Sequence, residues 1–299
     1  MEGYSDSAFR QVCKSINPDL ITYTEFTSSD GLLFNSPSVL KKFSYQLSEQ
    51  PVIAQIFGKN VDAFTHSAKV IEDLGFAGID LNMGCPAKKV VKSEHGVALR
   101  KNHDLAFQLI EAVSKSTSLP VSVKTRLGWT DDSDLEAFAI GAQNAGANMI
   151  AIHARTYSQP YKVAAQWDPL YALKTKLSIP LLGNGGIDSY QHGCQQLKNL
   201  DGFLIGQAAI GNPWVFVTER PPFIDQVSTI KNHAKWLFAD KGEHVGCREI
   251  RKHLVAYVKS LPSARSWRQS LVHVNTLSDI YTALDTIAES TSQHTYAKT

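Results

Sequence analysis

The sequence predicts an α/β fold of the (β/α)8 class followed by a small all-helical domain. Three observations carry that reading. Short runs rich in Val, Ile and Leu alternate with longer segments of helical period, the pattern of βαβ units around a parallel sheet. The alternation stops after Trp214, where Pro213, Pro221 and Pro222 punctuate the chain and helical periodicity follows. Polar residues and glycines gather where the apolar runs end, and in parallel α/β folds the chemistry sits at the carboxyl ends of the strands.

The predicted strands are 20–24, 52–57, 78–82, 121–125, 149–153, 180–183 and 202–206. The predicted helices are 5–16, 37–43, 61–74, 105–116, 134–145, 168–176 and 189–197. Asn60, Asp132 with Ser133, and Asp188 stand where N-caps are expected, since their side chains accept from the free N–H groups of a first turn. Gly75, Gly78 and Gly146 follow helices, as left-handed stops do. Beyond Trp214 the helical pattern covers 224–239, 246–259, 264–271 and 278–288. The expected division is a catalytic barrel domain, 1–222, a helical domain, 223–290, and a disordered polar tail, 291–299.

A closed TIM barrel has eight strands, and the chain offers seven. It opens on what reads as a strand-to-helix loop. An open sheet leaves two unpaired edges, so the expectation is a first strand missing from the chain, upstream of Met1.

A hydrophobic share of 43% in 299 residues provides a full core. The net charge of +2 argues neither for nor against any partner. No apolar stretch approaches the ~20 residues of a bilayer span, and the first residues lack the basic and apolar regions of a secretory signal. Cys13, Cys85, Cys194 and Cys247 lie far apart and form no CxxC pair. That spacing argues against a zinc site and a disulfide framework; no metal is expected, and a reducing cytoplasm is the expected compartment. Charge is uneven along the chain. From Lys231 to Arg268 there are nine Lys and Arg against three acids, a local excess of six. A solvated helical surface and a phosphate-facing patch explain that excess equally well.

The strand ends carry the chemistry. The first informative one is Asn82-Met83-Gly84-Cys85-Pro86, directly after an apolar run. A free cysteine is usually a small buried hydrophobe, but this setting places a thiol at the mouth of the sheet. The other ends are Gln55-Ile56-Phe57-Gly58, Lys124-Thr125-Arg126, His153-Ala154-Arg155, Asn184-Gly185-Gly186 and Gly206-Gln207. Each alone is weak. A lysine inside the run Val121–Thr125 is costly to bury unless it meets an anion or a polar ligand. Amide, thiol, ammonium and imidazole groups at one rim are hard to explain as packing. In barrels the loops after the last two strands commonly form a phosphate cup, and here they are Asn184-Gly185-Gly186 and Gly206-Gln207. Glycines let backbone N–H groups approach a phosphate closely, so a phosphate-bearing cofactor is the natural occupant.

With these motifs in hand, the chain resembles the tRNA-dihydrouridine synthases, a family of FMN enzymes, over nearly its whole length. The resemblance rests on Met1-Glu2-Gly3, Thr24-Glu25-Phe26, Gln55-Ile56-Phe57-Gly58, Asp80-Leu81-Asn82-Met83-Gly84-Cys85-Pro86, Lys124-Thr125-Arg126-Leu127-Gly128-Trp129, His153-Ala154-Arg155-Thr156 and Asn184-Gly185-Gly186-Ile187. The C-terminal segment with Arg251-Lys252-His253 is similar to the family's RNA-binding domain. The resemblance implies reduction of the C5=C6 bond of uridines in tRNA, with FMN as cofactor and NADPH or NADH as reductant. It implies Cys85 as the proton donor to C5. It implies a cofactor site of Met1, Glu2, Gly3, Gln55, Lys124, His153, Asn184, Gly185, Gly186, Gly206 and Gln207, with Lys124 and His153 compensating the charge of a reduced flavin. Asn82, Arg126 and Arg155 are expected against the uracil or nearby tRNA, and Arg251 and Lys252 against tRNA. A monomer is the expected state.

One departure stands out: the family usually has Arg after the glycine of the last strand, and this chain has Gln207. A permanent charge toward the phosphate is lost, which lowers the expected flavin affinity. The competing readings are an FMN-dependent reductase of a free pyrimidine, which needs no basic helical domain, and a catalytically weakened tRNA-binding homologue.

Overall fold

Alternate residues of the predicted strands are aliphatic, and that alternation decides the architecture. The computed structural model describes residues 1–296. Its strands are β1 (Thr22–Tyr23), β2 (Thr27–Ser28), β3 (Val52–Phe57), β4 (Gly78–Met83), β5 (Val121–Arg126), β6 (Met149–His153), β7 (Leu181–Asn184) and β8 (Gly202–Leu204). All ladders between them are parallel. The order is β1-β3-β4-β5-β6-β7-β8, with β2 also pairing β3. Neighbours in sequence are neighbours in space, as in a barrel sheet. Among the described residues no ladder joins β8 to β1, so the sheet is open.

One face of the sheet is hydrocarbon. Val52, Ala54, Ile56, Ile79, Leu81, Val123, Ile150, Ile152 and Leu181 are fully buried. They share a core with Phe64, Ile71, Leu109, Phe138 and Leu170 from the helices Val61–Asp73, His103–Ser114, Leu135–Asn144 and Asp168–Lys174. Burying such side chains stabilises by roughly 1.5–3 kcal/mol each. Several of the alternate positions are polar, and register sets them side by side: Gln55 with Asp80, Asn82 with Lys124, Arg126 with His153, and His153 with Asn184.

Helix ends follow the expected chemistry with three differences. Asn60 caps its helix, accepting from Asp62 and Ala63 N–H at 3.0 and 3.2 Å. At the helix Tyr190–Leu197 the cap is Ser189 rather than Asp188, whose carboxylate pairs with His192 Nδ1 at 2.9 Å instead. The helix Leu135–Asn144 starts at Asp134, not at Asp132 or Ser133, and has no side-chain cap. The Asp134 carboxylate is taken by Arg100 and by His103 at 3.0 Å. Gly75 and Gly146 stop helices at positive φ as expected, whereas Gly78 opens β4.

A second unit holds Gly3–Leu20, Gln46–Glu49 and the residues from Gln207 on. Its long helices are Phe223–Lys241, Glu243–Tyr257 and Leu277–Tyr296, with the shorter Ala264–Leu271 between the last two. The first helix, Ser7–Ile16, falls in this unit and not with the sheet, unlike the division at 222. Ala8 shares a core with Trp214, Val227, Ile230 and Leu254. The fully buried Glu49 accepts from Ser7 Oγ at 2.5 Å and from Arg10 Nε at 2.7 Å, so a buried ion pair holds the segment. Residues 291–296, expected in the disordered tail, continue the last helix, and 297–299 lie outside the described residues. No helix among the described residues is long and apolar enough to cross a membrane.

Candidate active site on the polar face of the sheet

The polar alternate positions of β3, β4 and β5 form one hydrogen-bonded chain. Ser122 Oγ and Gln55 Nε2 donate to the two carboxylate oxygens of Asp80, at 2.6 and 2.7 Å. Asn82 Nδ2 donates to Gln55 Oε1 at 2.9 Å. Asn82 Oδ1 in turn accepts the backbone N–H groups of Gly84 and Cys85, at 3.2 and 3.0 Å. Asp80 is fully buried. Burial pushes its carboxyl up to about 6, against the lowering effect of Ser122, Gln55 and Lys124.

Cys85 is a free, half-buried thiol on the loop that this chain holds. Burial raises its pKa above the usual thiol value, while the Ala87 N–H and the charges of Arg126 and Lys124 act the other way. Its carbonyl accepts from Val97 N–H at 3.2 Å. Gly96, at φ +61°, lets the chain pass close: a Cβ there would stand 2.8 Å from Cys85 O.

Lys124 donates to Asn184 Oδ1 at 3.2 Å, and Asn184 Nδ2 donates to Leu204 O at 2.8 Å. Burial brings the Lys124 ammonium down to about 8, with Asp80 opposing. His153 is held far lower, to about 2, by burial and by the charges of Lys124, Arg126 and Arg155. It is therefore a neutral imidazole, and its Nδ1 has no hydrogen-bond partner. Burial comes first among the causes that keep this ring neutral, with the three cations adding to it.

The two expected arginines are committed to the protein's own loops. Arg126 donates to Gly84 O and Thr156 O, both at 3.0 Å, and to Tyr161 Oη at 3.3 Å. Arg155 Nε donates to Val163 O at 2.6 Å. Both residues are buried. Their observed contacts are those of braces for the rim.

The glycine loops keep open backbone. Gly185 and Gly186 have φ of +115° and +77°, and a Cβ at Gly185 would stand 3.2 Å from the His153 ring. At Gly206 the nearest atom to an added Cβ would be Met1 Sδ, at 3.7 Å. Glu2 pairs with Lys42 at 2.7 Å, and Gly3 has φ +76°. Gln207 is exposed and starts the short turn Gln207–Ala209. An ammonium that forms no ion pair among the described residues, amide groups and glycines of positive φ fit a polar ligand that carries a phosphate.

The basic segment of the helical unit resolves into two kinds of residue. Lys231 pairs with Asp285 at 2.7 Å, and Lys241 with Asp6 at 2.7 Å and Glu249 at 2.5 Å. Arg251 donates to Val274 O at 2.8 Å and Asn275 Oδ1 at 3.0 Å, and Lys252 lies 5.2 Å from the Tyr4 ring centroid. Lys235, Arg248, Lys259 and Arg265 are exposed. Among the described residues no cluster of His, Cys, Asp and Glu is arranged to hold a metal ion.

Sequence reasoning gave Asp80 no role of its own. The available signal was a carboxylate inside an otherwise apolar strand, the same signal that singled out Lys124.

The family model described as dihydrouridine synthase matches residues 1–293. A probable tRNA-dihydrouridine synthase of Rickettsia conorii is 31% identical, over 97% of this chain and 91% of that protein. The tRNA-dihydrouridine synthase B of Xanthomonas campestris is 34% identical, over 90% and 85%. Among solved structures, morphinone reductase is similar at a TM-score of 0.45 and 11% identity, over 71% of this chain and 80% of that one, too loosely for any argument to rest on it.

Proposed function

Because the chain belongs to the dihydrouridine synthase family, we propose that it reduces the C5=C6 bond of uridines in tRNA, with FMN held by the polar sheet face and NADPH or NADH as reductant. The observation that carries this reading is the pairing of a tethered, protonated thiol at Cys85 with a half-buried ammonium at Lys124 that forms no ion pair among the described residues.

A bound flavin supplies the hydride that ends on C6 of the uracil. The protein's residues do the rest. Lys124, with Asn184 fixing its direction, places positive charge toward an electron-rich ring. Gln55 presents its amide on the same face. Gly185, Gly186 and Gly206 offer backbone N–H groups to a phosphate. Met1 and Glu2 contribute backbone to the same cofactor site. His153 serves as a neutral hydrogen-bonding ring. Cys85 holds the proton for C5: its raised pKa keeps the thiol protonated at neutral pH, and Arg126 and Lys124 ease the charge left on sulfur once the proton is given. Asn82 sets the loop that carries the thiol, while Arg126 and Arg155 shape the rim for the uracil.

The target base must leave its stack, at a cost of a few kcal/mol. Phosphate contacts from the exposed Lys235, Arg248, Lys259 and Arg265, with Lys252, offset that cost.

The test is turnover by the purified chain, supplied with FMN and NADPH, on an unmodified tRNA transcript, with dihydrouridine mapped by mass spectrometry and free uracil assayed in parallel. Dihydrouridine at defined tRNA positions is expected. Reduction of free uracil without reduction of tRNA would overturn the proposal.

A further inference from the structure

The chain Ser122–Asp80–Gln55–Asn82–Cys85 has a direction, and both of its ends are chemically fixed. An ionised carboxylate only accepts hydrogen bonds, and a backbone N–H only donates. Between them stand two amides, each with a donor end and an acceptor end. Asp80 needs Gln55 to turn its Nε2 inward, at 2.7 Å. That leaves Gln55 Oε1 for Asn82 Nδ2, at 2.9 Å, and leaves Asn82 Oδ1 for the N–H groups of Gly84 and Cys85. The reverse assignment of either amide would set donor against donor at the loop or acceptor against acceptor at Asp80. One arrangement alone satisfies both ends.

We propose that Asp80 is a positioning residue for the proton-donating thiol: buried beneath the site, it orients Gln55 and through it Asn82, and so fixes the loop that aims Cys85. This rests on the reading of Cys85 as proton donor, and it assigns the aim of that thiol to a carboxylate three hydrogen bonds away. Arg126 restrains the same loop from the other side, through Gly84 O at 3.0 Å. Two restraints on one peptide leave the thiol little freedom, which proton transfer to a defined carbon requires. The carboxylate is fully buried, so it acts through its hydrogen bonds and not by contact with a ligand at the surface of the site.

The experiment compares Asp80→Leu, which removes both acceptors, with Asp80→Asn, which retains one toward Gln55 if Ser122 turns to accept. Alkylation of Cys85 by iodoacetamide is followed on the Cys85 peptide by mass spectrometry, in the absence of tRNA. Expected is a change of about tenfold or more in the Cys85 alkylation rate for Asp80→Leu, the size of one lost charge-assisted hydrogen bond, and near-wild-type kinetics for Asp80→Asn. On tRNA, Asp80→Leu lowers kcat and leaves KM, and Asp80→Asn restores kcat. Wild-type alkylation in a folded Asp80→Leu protein overturns the proposal, as does an Asp80→Asn protein as impaired as the Leu variant. Should Asp80→Leu not fold, Gln55→Met cuts the chain at its middle and decides the matter: altered Cys85 kinetics support the proposal, and unaltered kinetics or a failure to fold overturn it. Because alkylation needs no substrate, these outcomes are separate from whether Cys85→Ala abolishes dihydrouridine formation.

Discussion

Lys124 Nζ reaches Asn184 Oδ1 at 3.2 Å, and among the described residues no carboxylate forms an ion pair with it. A half-buried ammonium whose hydrogen-bond partner is neutral, and whose desolvation the Asp80 charge only partly offsets, is unfavourable in the empty protein and useful once an electron-rich ligand faces it. The two roles predict opposite effects of one substitution. Lys124→Met should raise the melting temperature of the flavin-free protein by about 2–4 °C, the shift that about 1 kcal/mol produces in a domain of this size, and should weaken flavin retention. The pH dependence follows the same sign. Burial lowers the folded pKa to about 8 from 10.5, so the folded state sheds its proton first. Stability of the flavin-free protein therefore rises as pH increases from about 8 toward 10.5, and the Met variant loses that rise. Differential scanning fluorimetry across this range checks both; a Met variant less stable than wild type would refute the account.

Cys85 supplies the second prediction. Cys85→Ala should keep its flavin and its slow oxidation of NADPH, while dihydrouridine formation falls by roughly 100- to 10,000-fold, the span typical of losing a general acid. Single-turnover reduction of tRNA by the pre-reduced enzyme isolates that step. Undiminished turnover would remove the thiol from the mechanism.

The basic segment separates into binding and bracing residues. Neutralising Lys235, Arg248, Lys259 and Arg265 should weaken tRNA binding and reduce the slope of log K against log salt by about 0.7–0.9 for each phosphate no longer neutralised. Arg251→Ala should act differently. Its guanidinium ties Val274 and Asn275 to the helix Glu243–Tyr257, so its loss costs about 1–3 kcal/mol of stability. Binding isotherms at several salt concentrations, set beside thermal melts, distinguish the two groups.

Two buried imidazoles in the helical unit make it acid-sensitive. His233 and His253 are fully buried with ring centroids 4.5 Å apart, and His233 Nδ1 meets Tyr257 Oη at 3.0 Å. Neither nitrogen of His253 has a hydrogen-bond partner. Burial lowers His233 to about 4 and takes His253 well below its ordinary value. The unfolded chain takes up these protons first, so stability is fully present above about 6.5 and is lost as pH falls toward about 4. His253→Leu should flatten that loss. Urea melts from pH 7 down to pH 4 test it, and an unchanged slope in the variant would exclude the pair as its cause.

Much of the fold was legible because strands and helices declare themselves through period. The seven predicted strands all appear, since runs such as 52–57 and 121–125 are short and rich in β-branched and aliphatic residues. The short β2 was not legible: two residues, Thr27 and Ser28, carry no period. The N-cap at Asp134 was misplaced because Arg100, far off in sequence, claims its carboxylate. Cys85, Gln55, Lys124 and Asn184 stand out in the sequence as candidates from their places at or near strand ends. The neutrality of His153 could not be read there, since it depends on its burial and on three cations that the fold brings together.

By itself the sequence determined the seven longer or apolar strand runs, the helices that alternate with them, and which polar side chains stand at or near the strand ends; local composition suffices for these. Tertiary structure alone decided that Asp80 anchors Asn82 through Gln55, that Arg126 braces the thiol loop, and that the first helix joins the helical unit. Those outcomes depend on register and on contacts between residues distant along the chain, and hydrogen-bond partners across strands become defined only when the sheet is assembled.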